Sequence, residues 1–202
     1  MKYTFIVFEG IDGSGKTTLI NNIKKHIQEE KYFFTKEPGN TDFKFFLYSL
    51  LELLKDTEEP ETEYLLFAAE RTHHIKTKII PAILDNKIII SDRFIDSSLV
   101  YQSDCKKNFM EKIFKKTNYN IVPSLTFFCK INPKIATQRI TERKNNNFLD
   151  EKYKKKLEYL DKQYRKLYKN KKNVITLDMT KSLDELTTTC ITSIEEIHNK
   201  FS

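Results

Sequence analysis

A glycine-rich stretch near the start of the chain constrains the fold more than any other feature. It matches the pattern G-x-x-x-x-G-K-[ST] of a phosphate-binding loop, and its residues are Gly10, Ile11, Asp12, Gly13, Ser14, Gly15, Lys16 and Thr17. Apolar, β-branched residues 4–8 before it predict a buried strand, and residues 16–29 after it have the apolar spacing of a helix. The glycine spacing excludes the dinucleotide fingerprint G-x-G-x-x-G. The stretch therefore predicts a nucleotide-binding site between a strand and a helix.

Each part of this loop has a chemical reason. Glycines let the backbone pass close to phosphate oxygens, while the loop N–H groups and the start of the next helix attract negative charge. Lys16 offers a full positive charge to the β- and γ-phosphates, and the Thr17 hydroxyl can ligate Mg²⁺. We therefore expect the loop, continued through Thr18, to bind ATP together with Mg²⁺.

The size and composition of the chain predict a single soluble domain. It has 202 residues, of which 39% are hydrophobic and 31% are charged. No apolar run approaches the ~20 residues of a membrane span, and the chain begins directly with strand and loop, so we expect no membrane segment and no signal peptide. Cys105, Cys129 and Cys190 lie far apart without a C-x-x-C pair. That pattern favours free thiols in a reducing, cytoplasmic compartment over a metal site.

Most of the net charge of +7 lies in one segment. Residues 150–172 contain ten Lys or Arg and four Asp or Glu, a balance of +6. The apolar residues of the same region recur three and four positions apart: Leu149, Tyr153, Leu157, Leu160, Tyr164 and Leu167. The pattern predicts one amphipathic helix with a lysine-rich face in solvent. A solvated face explains the charge, and we expect no nucleic-acid partner.

Strands and helices alternate along the whole chain. Further strands are predicted at residues 32–35, 88–91, 125–129 and 174–177. Helices are predicted at 43–54, at 61–85 with a kink near Pro81, at 97–102 and 106–116, from Pro133 onward, and from 183 to the end. The alternation predicts an α/β fold with a five-stranded parallel sheet covered on both faces. Ligands should lie at the carboxyl ends of the strands, where residues 9–17, 36–40, 92–98 and 178–182 fall.

The pair Asp92-Arg93 ends one of the buried strands. An acidic residue beside a phosphate-binding loop can orient Mg²⁺ or its water, and Arg93 can hold a second phosphate with two hydrogen bonds. A structural ion pair at a strand end is the alternative. The position of the pair favours a role in the site.

Several short motifs follow one another along nearly the whole chain. They are FIVFEGIDG at 5–13, KEPG at 36–39, FAAER at 67–71, SDRF at 91–94, Ser97-Ser98 and Tyr101-Gln102. As a set, in this order and spacing, they resemble thymidylate kinase (dTMP kinase), of the bacterial-like type with arginines in the lid. The resemblance implies a P-loop nucleoside-monophosphate kinase fold, one domain over residues 1–202 and a lid at about 140–152. It also implies ATP-dependent conversion of dTMP to dTDP for dTTP biosynthesis by a homodimer.

The resemblance implies roles for the residues that would bind dTMP. Phe67 would offer a flat face to the pyrimidine ring, and Arg71, one helical turn along, would reach its O4. Without the resemblance, ordinary core packing would be the better interpretation of Phe67. Ser98 and Gln102, also four positions apart, would bond other edges of the ring.

The sugar and the phosphate would be held by residues from three other segments. Asp12 would accept a hydrogen bond from the 3′-hydroxyl, and Tyr101 would crowd a 2′-hydroxyl. The family pair that matches Glu37-Pro38, in which the proline is often cis, shapes the acceptor site. No general base is expected, because the attacking phosphate oxygen is already ionised. The four histidines, which can then be surface residues, receive no role: His26, His73, His74 and His198.

The chain departs from the family pattern in three places. Lys36 and Asn40 replace the Arg and the second Gly of R-E-P-G-G, and Lys36 keeps the charge without the bidentate geometry. Residues 148–151 lack an Arg often found in the lid. Gly13 and Ser14 carry no charge where some thymidylate kinases have a basic residue in the loop.

Another cation must therefore stabilise the transferred phosphoryl group. The helix opened by Pro133 is predicted to carry Arg139 and Arg143 on one face. We expect Arg143 to close over the phosphates beside the polar loop 145–147, with Arg139 against the adenine or assisting. Lys144 is the local alternative, and a solvated helix face explains both arginines without a role.

Two competing functions remain open on sequence alone. One is a kinase on the same scaffold for a deoxynucleoside or another monophosphate. The other is a nucleotide-binding or nucleic-acid-binding regulator without turnover, against which the combination of Lys16, Thr17, Asp92 and Arg93 argues. For the expected homodimer, the helices near 43–54 and 63–75 have enough apolar surface.

Overall fold

A computed structural model describes residues 2–39, 42–143 and 148–201 of the chain. Five strands form one sheet: β1 Phe5–Glu9, β2 Tyr32–Lys36, β3 Ile88–Asp92, β4 Leu125–Lys130 and β5 Val174–Asp178. All four strand pairings are parallel, in the order β2-β3-β1-β4-β5. The predicted five-stranded parallel sheet is confirmed.

Ten α-helices connect and cover the strands in the described part of the chain. They are α1 Lys16–Lys25, α2 Asp42–Leu53, α3 Pro60–His74, α4 Ile80–Leu84, α5 Ile95–Tyr101, α6 Lys107–Thr117, α7 Pro133–Thr141, α8 Phe148–Lys154, α9 Leu157–Tyr168 and α10 Leu183–Phe201. Among them no helix is both long and apolar enough to cross a membrane. The two faces of the sheet are both buried, because Ile6 and Phe8 pack into one hydrophobic cluster while Phe5 and Val7 pack into another.

The central position of β1 determines where the functional loops meet. It pairs with β3 on one side and β4 on the other, so the loop after β1 begins between the carboxyl ends of both neighbours. Ligands of open α/β sheets bind in a crevice at that edge. The phosphate-binding loop and Asp92-Arg93 therefore lie side by side.

Two predicted helices are shorter or more broken than expected. The helix predicted at 16–29 ends at Lys25, and a single 3₁₀ turn follows at Glu29–Lys31. The helix predicted at 61–85 contains a π turn at Ile75–Ile79, directly before Pro81. Proline has no N–H to donate to a carbonyl one turn back, so the regular α-helical hydrogen-bond pattern is interrupted at this point.

The prediction of one amphipathic helix over 150–172 is wrong in its continuity. Residues 155 and 156 separate α8 from α9. The Tyr153 side chain at this break is buried among the core residues, and Leu157, Leu160 and Tyr164 of α9 continue the same cluster. The periodicity therefore marked the buried face correctly while it missed the break.

Candidate active site

The phosphate-binding loop has the backbone conformation that its glycines make accessible. Gly13 and Gly15 have φ angles of 76° and 95°, in the left-handed region. A Cβ on Gly13 would lie 2.5 Å from the carbonyl oxygen of Ala136, so the loop rests directly on the backbone of α7. Gly13 therefore serves close packing as well as backbone freedom.

Lys16 is buried at the start of α1. Its Nζ donates to the carbonyl oxygens of Gly10 and Ile11, each at 3.0 Å, and to Ser14 Oγ at 3.3 Å. Burial and then the neighbouring Arg93 lower the pKa of Lys16. The ammonium group is held inside the loop, where it borders a small cavity of ≈ 90 Å³.

Thr17 and Asp92 form the polar pair expected at a divalent-cation site. Thr17 Oγ1 donates to Asp92 Oδ2 at 2.6 Å, which links α1 to the end of β3. Asp92 Oδ1 is buried and makes no hydrogen bond to the described residues. A hydroxyl and a carboxylate with a spare oxygen suit Mg²⁺, which prefers hard oxygen ligands. These two residues, predicted as the metal site, therefore fit the ion.

Arg93 joins the loop to the acceptor side of the site. It has a φ of 75°, which is uncommon for a residue with a side chain. Its Nη2 donates to Asp12 Oδ1 at 2.6 Å and to the Tyr101 hydroxyl at 3.1 Å, and its Nη1 donates to the Gly10 carbonyl at 3.0 Å. The predicted residues Asp12, Arg93 and Tyr101 are thus brought into one hydrogen-bonded cluster.

Electrostatics keep this cluster charged. Burial raises the pKa of Asp12, but Arg93 and Lys16 outweigh it, so the net shift is downward. Burial also opposes the charge on Arg93, while Tyr101 and Asp12 raise its pKa well above the usual value. The carboxylate and the guanidinium stabilise each other's charged forms.

Sequence reasoning assigned no role to Glu9, which lies beneath Arg93. It is fully buried and accepts hydrogen bonds from the Phe94 and Ser97 backbone N–H groups at 2.9 and 3.1 Å and from the Tyr164 hydroxyl at 2.9 Å. Burial raises its pKa to about 7, against the lowering effect of Arg93. An acidic residue inside an apolar strand was the available signal, since a buried carboxyl needs partners.

A second cavity, of ≈ 160 Å³, opens on the other side of this cluster. Nine residues predicted to bind the acceptor line it: Asp12, Glu37, Pro38, Phe67, Arg71, Arg93, Ser98, Tyr101 and Gln102. Arg71 is buried there and donates through Nε to Glu37 Oε2 at 2.7 Å and through Nη2 to Ser98 Oγ at 2.5 Å. The Glu37–Pro38 peptide bond is cis. Sequence reasoning gave no acceptor-binding role to the six other residues of the lining, which are Tyr48, Glu70, Phe94, Ser97, Leu149 and Tyr153.

An acidic cluster supports the wall that carries Arg71. Glu70 Oε1 accepts from the Gly39 N–H at 2.7 Å, and burial and the nearby Glu37 raise the Glu70 pKa to about 7. His74 is completely buried and bonds Thr35 Oγ1 at 2.6 Å. The expectation that His74 is a surface residue is therefore wrong. The other ring nitrogen of His74 lies 3.4 Å from Glu37 Oε1, so both nitrogens have partners inside the protein.

Arg139 and Arg143 do not share one helix. Arg139 belongs to α7, and its Nη1 donates weakly to the Gly13 carbonyl at 3.4 Å. The helix ends at Thr141, so the prediction that it carries Arg143 is wrong. Arg143 nevertheless lines the cavity around Lys16 and Asp92, as well as a neighbouring cavity with Arg139. Lys144, residues 145–147 and Asn40 lie outside the described part of the chain.

The chain matches known proteins over most of its length. Residues 8–190 match the family model described as thymidylate kinase. A thymidylate kinase of Mycoplasmoides gallisepticum is 35% identical over 189 residues, which cover 91% of this chain and 90% of that protein. A thymidylate kinase of Ligilactobacillus salivarius is 31% identical over 198 residues, covering 92% and 94%, respectively. One of Mycoplasma genitalium is 43% identical over 159 residues and 74% of each chain.

Proposed function

The chain belongs to the thymidylate kinase family, and from this we propose that it transfers the γ-phosphoryl group of ATP to dTMP in dTTP biosynthesis. An oxygen of the dTMP phosphate bonds to the γ-phosphorus while the bond from that phosphorus to the β,γ-bridging oxygen breaks, giving dTDP and ADP. The supporting observation is that Asp12 and Arg93 line both the acceptor cavity and the cavity of the phosphate-binding loop. Donor and acceptor phosphates would therefore meet at these two side chains.

Arg93 would position the acceptor phosphate rather than exchange protons with it. Its raised pKa keeps the guanidinium charged, and its bond to Asp12 aims it at the junction of the cavities. Since the attacking oxygen is already ionised, the site needs charge and alignment but no general base. Glu9 and Tyr164 support Arg93 from below, because the Tyr164 hydroxyl lies 3.2 Å from Arg93 Nη1 and bonds Glu9.

The acceptor cavity has the chemistry of a pyrimidine site. Phe67 offers a ring face, and Arg71 makes no hydrogen bond through Nη1 to the described residues, which leaves that donor for O4 of the base. Ser98 and Gln102 supply further polar groups at the same wall. Tyr101 donates to Asp12 at 2.8 Å, so the Asp12 carboxylate that would accept from the 3′-hydroxyl has a fixed orientation.

ATP would be held by the loop that runs from Gly10 through Thr18. Lys16 would exchange its three bonds to the loop for phosphate oxygens, and Thr17 and Asp92 would hold Mg²⁺. Mg²⁺ neutralises charge on the phosphates of the donor. The cavity between Arg139, Met179 and Leu186 lies beside the loop and offers an apolar surface for adenine.

Arg143 would supply the cation that Gly13 and Ser14 lack. It is exposed, directly precedes residues 144–147 and borders the cavity that contains Lys16. An arginine finger stabilises charge that spreads over the γ-phosphoryl oxygens during transfer. The competing interpretation, in which Arg143 is merely solvated, predicts no effect of its removal on kcat.

A homodimer would cover the exposed face of α2. Phe45, Phe46 and Leu53 are 73%, 61% and 76% exposed in the single chain. Apolar side chains so close together on one helix are typical of an interface between subunits. Light scattering on the wild type and on Phe46→Glu would test this, and a monomeric wild type contradicts it.

The three cysteines are free and buried, which supports a cytoplasmic location.

A substrate panel tests the proposed function directly. ADP release is measured with ATP, Mg²⁺ and each of dTMP, dUMP, dGMP, dAMP and the nucleoside thymidine. We expect dTMP to be far better than either purine, with weaker discrimination against dUMP, because one methyl group is worth only ~1–3 kcal/mol in a pocket. Equal kcat/KM for thymine and purine monophosphates rejects the site. Turnover of a nucleoside instead identifies a different kinase, and binding without turnover identifies a regulator.

A further inference from the structure

Glu63 of α3 lies behind the acceptor cavity and does not line it. Its carboxylate receives hydrogen bonds from three side chains, two of them on α8 and one directly after α5. Lys152 Nζ donates to Oε2 at 2.6 Å, while the Tyr153 hydroxyl and Gln102 Nε2, the latter at 3.2 Å, both donate to Oε1. The Glu63 side chain is only 12% exposed. The contact matters for the site because Gln102 lines the acceptor cavity.

The hydrogen-bond pattern leaves one orientation for the Gln102 amide. An ionised carboxylate only accepts hydrogen bonds, so the group facing Glu63 must be the amide nitrogen. The Tyr153 hydroxyl donates its one hydrogen to Glu63. Toward Gln102 Nε2, which lies 3.4 Å away, the hydroxyl oxygen can therefore only accept a hydrogen bond. Glu63 and Tyr153 are thus both hydrogen-bond acceptors toward Gln102, so the amide N–H group of Gln102 must face them. Within the described ranges every hydrogen bond of the Gln102 side chain runs through Nε2.

The carbonyl oxygen of Gln102 is thereby directed away from Glu63 and Tyr153, toward the cavity that Gln102 lines. An acceptor at this position complements a base with N–H at ring position 3, as in thymine and uracil. It opposes cytosine, in which the same ring atom is itself an acceptor. A site that pairs a substrate N–H discriminates strongly because a mismatch leaves buried polar groups unpaired.

We propose that Glu63 is a specificity-determining positioning residue, which fixes the Gln102 amide so that the site accepts pyrimidines with N–H at position 3 and rejects cytosine. This inference rests on the proposed function, since it assumes that the acceptor is a thymine nucleotide. It assigns Glu63 no contact with substrate. Glu63 acts through Gln102, and Tyr153 reinforces it.

The test compares the kcat/KM values for dTMP and dCMP in the wild type and in Glu63→Gln. A glutamine at position 63 can donate as well as accept, so the Gln102 amide becomes free to turn and present N–H to the cavity. We expect the dTMP-to-dCMP ratio to fall by about tenfold or more, the size of one mismatched buried hydrogen bond. The Arg71 guanidinium, a hydrogen-bond donor, also disfavours the cytosine amino group. This effect is the same in both proteins and does not change the comparison of their ratios. A merely structural role for Glu63 would lower both kcat/KM values and leave their ratio unchanged.

Lys152→Met is the matched control. It removes the ion pair to Glu63 but keeps an acceptor-only carboxylate beside Gln102, so the ratio should stay within about twofold of the wild type, as expected for a partly exposed pair. Should Glu63→Gln fail to fold, Glu63→Met repeats the test, because Tyr153 can then donate to Gln102. If both variants fail to fold, Glu63 serves structure and the assignment is overturned.

The outcomes separate this inference from the proposed function. A wild type that does not prefer dTMP over purine monophosphates contradicts the proposed function. A wild type that prefers dTMP over purine monophosphates but not over dCMP overturns this inference and leaves the pyrimidine site standing. A wild type that prefers dTMP, with an unchanged ratio in Glu63→Gln, overturns only the role of Glu63. An equal loss of discrimination in Lys152→Met shows that the ion pair, and not the acceptor chemistry of Glu63, sets the specificity.

Discussion

Gly13 and Gly15 form a matched pair for measuring how tightly the phosphate-binding loop rests on α7. Both have positive φ angles, 76° and 95°. A Cβ on Gly15 would meet Met179 Cε at 3.4 Å and Arg139 Nη1 at 3.5 Å, which are ordinary contacts with flexible side chains. A Cβ on Gly13 would lie 2.5 Å from the Ala136 carbonyl oxygen, 0.9 Å short of that 3.4 Å distance, and a backbone atom cannot turn aside.

The size of each effect follows from these distances. Alanine in the left-handed region costs ~1–2 kcal/mol at either position, since its Cβ crowds the following carbonyl oxygen. Gly13→Ala must also relieve the contact with Ala136, and inserting a methyl group into a packed region typically costs ~1–3 kcal/mol. We therefore expect the free energy of unfolding to fall by ~2–5 kcal/mol in Gly13→Ala and by ~1–2 kcal/mol in Gly15→Ala.

Urea denaturation followed by circular dichroism, without nucleotide, measures both values. Because no phosphate is present, the comparison reports the packing of the loop and not its affinity for ATP. The displaced loop of Gly13→Ala should also lose activity, by about 10²-fold for a shift near 1 Å. If the unfolding free energies of the two variants agree within about 0.5 kcal/mol, the contact between the loop and α7 does not constrain the loop, and the reasoning is refuted.

Three further results are expected. Lys16→Ala should abolish nearly all turnover while the circular dichroism spectrum stays native, because Lys16 serves phosphate and not the core; near-normal activity contradicts the phosphate site. Arg143→Ala should lower kcat by ~10² or more at saturating ATP and dTMP with little change in KM, the mark of an interaction made in the transition state, and an unchanged kcat excludes the lid arginine. Because the pKa of Glu70 is raised to about 7, mainly by burial and then by Glu37, the folded state binds that proton more tightly than the unfolded state. The stability should therefore be greatest below pH ~4.5 for this group and decline as pH rises through about 7, and Glu70→Gln should reduce the decline by at most about 3 kcal/mol. If urea denaturation gives the same dependence of stability on pH for the wild type and for Glu70→Gln, Glu70 does not cause the decline.

The α/β fold and the phosphate-binding loop could be predicted from the sequence because both depend on local patterns. Runs such as Ile88-Ile89-Ile90 are buried on two faces of a sheet wherever the sheet lies, and a glycine-rich loop between strand and helix binds phosphate through its own backbone. Periodicity also identified the buried face of α9. Periodicity did not reveal where the helices are interrupted, at the π turn before Pro81 and between α8 and α9. A few residues of irregular backbone hardly disturb the spacing of three and four between apolar residues.

The contacts that give the site its chemistry were decided only by the tertiary structure. Glu9 and Tyr164 are 155 positions apart and meet beneath Arg93. Glu63 of α3 accepts hydrogen bonds from Gln102, directly after α5, and from Lys152 of α8. His74 is buried beside Thr35 of β2 and Glu37, and no feature of its own segment reveals these contacts. Local sequence determines which elements form, through hydrophobic period and backbone freedom. Which charged groups become neighbours depends on the order of the strands, and the desolvation and pairing that shift their pKa values arise only when those strands are assembled.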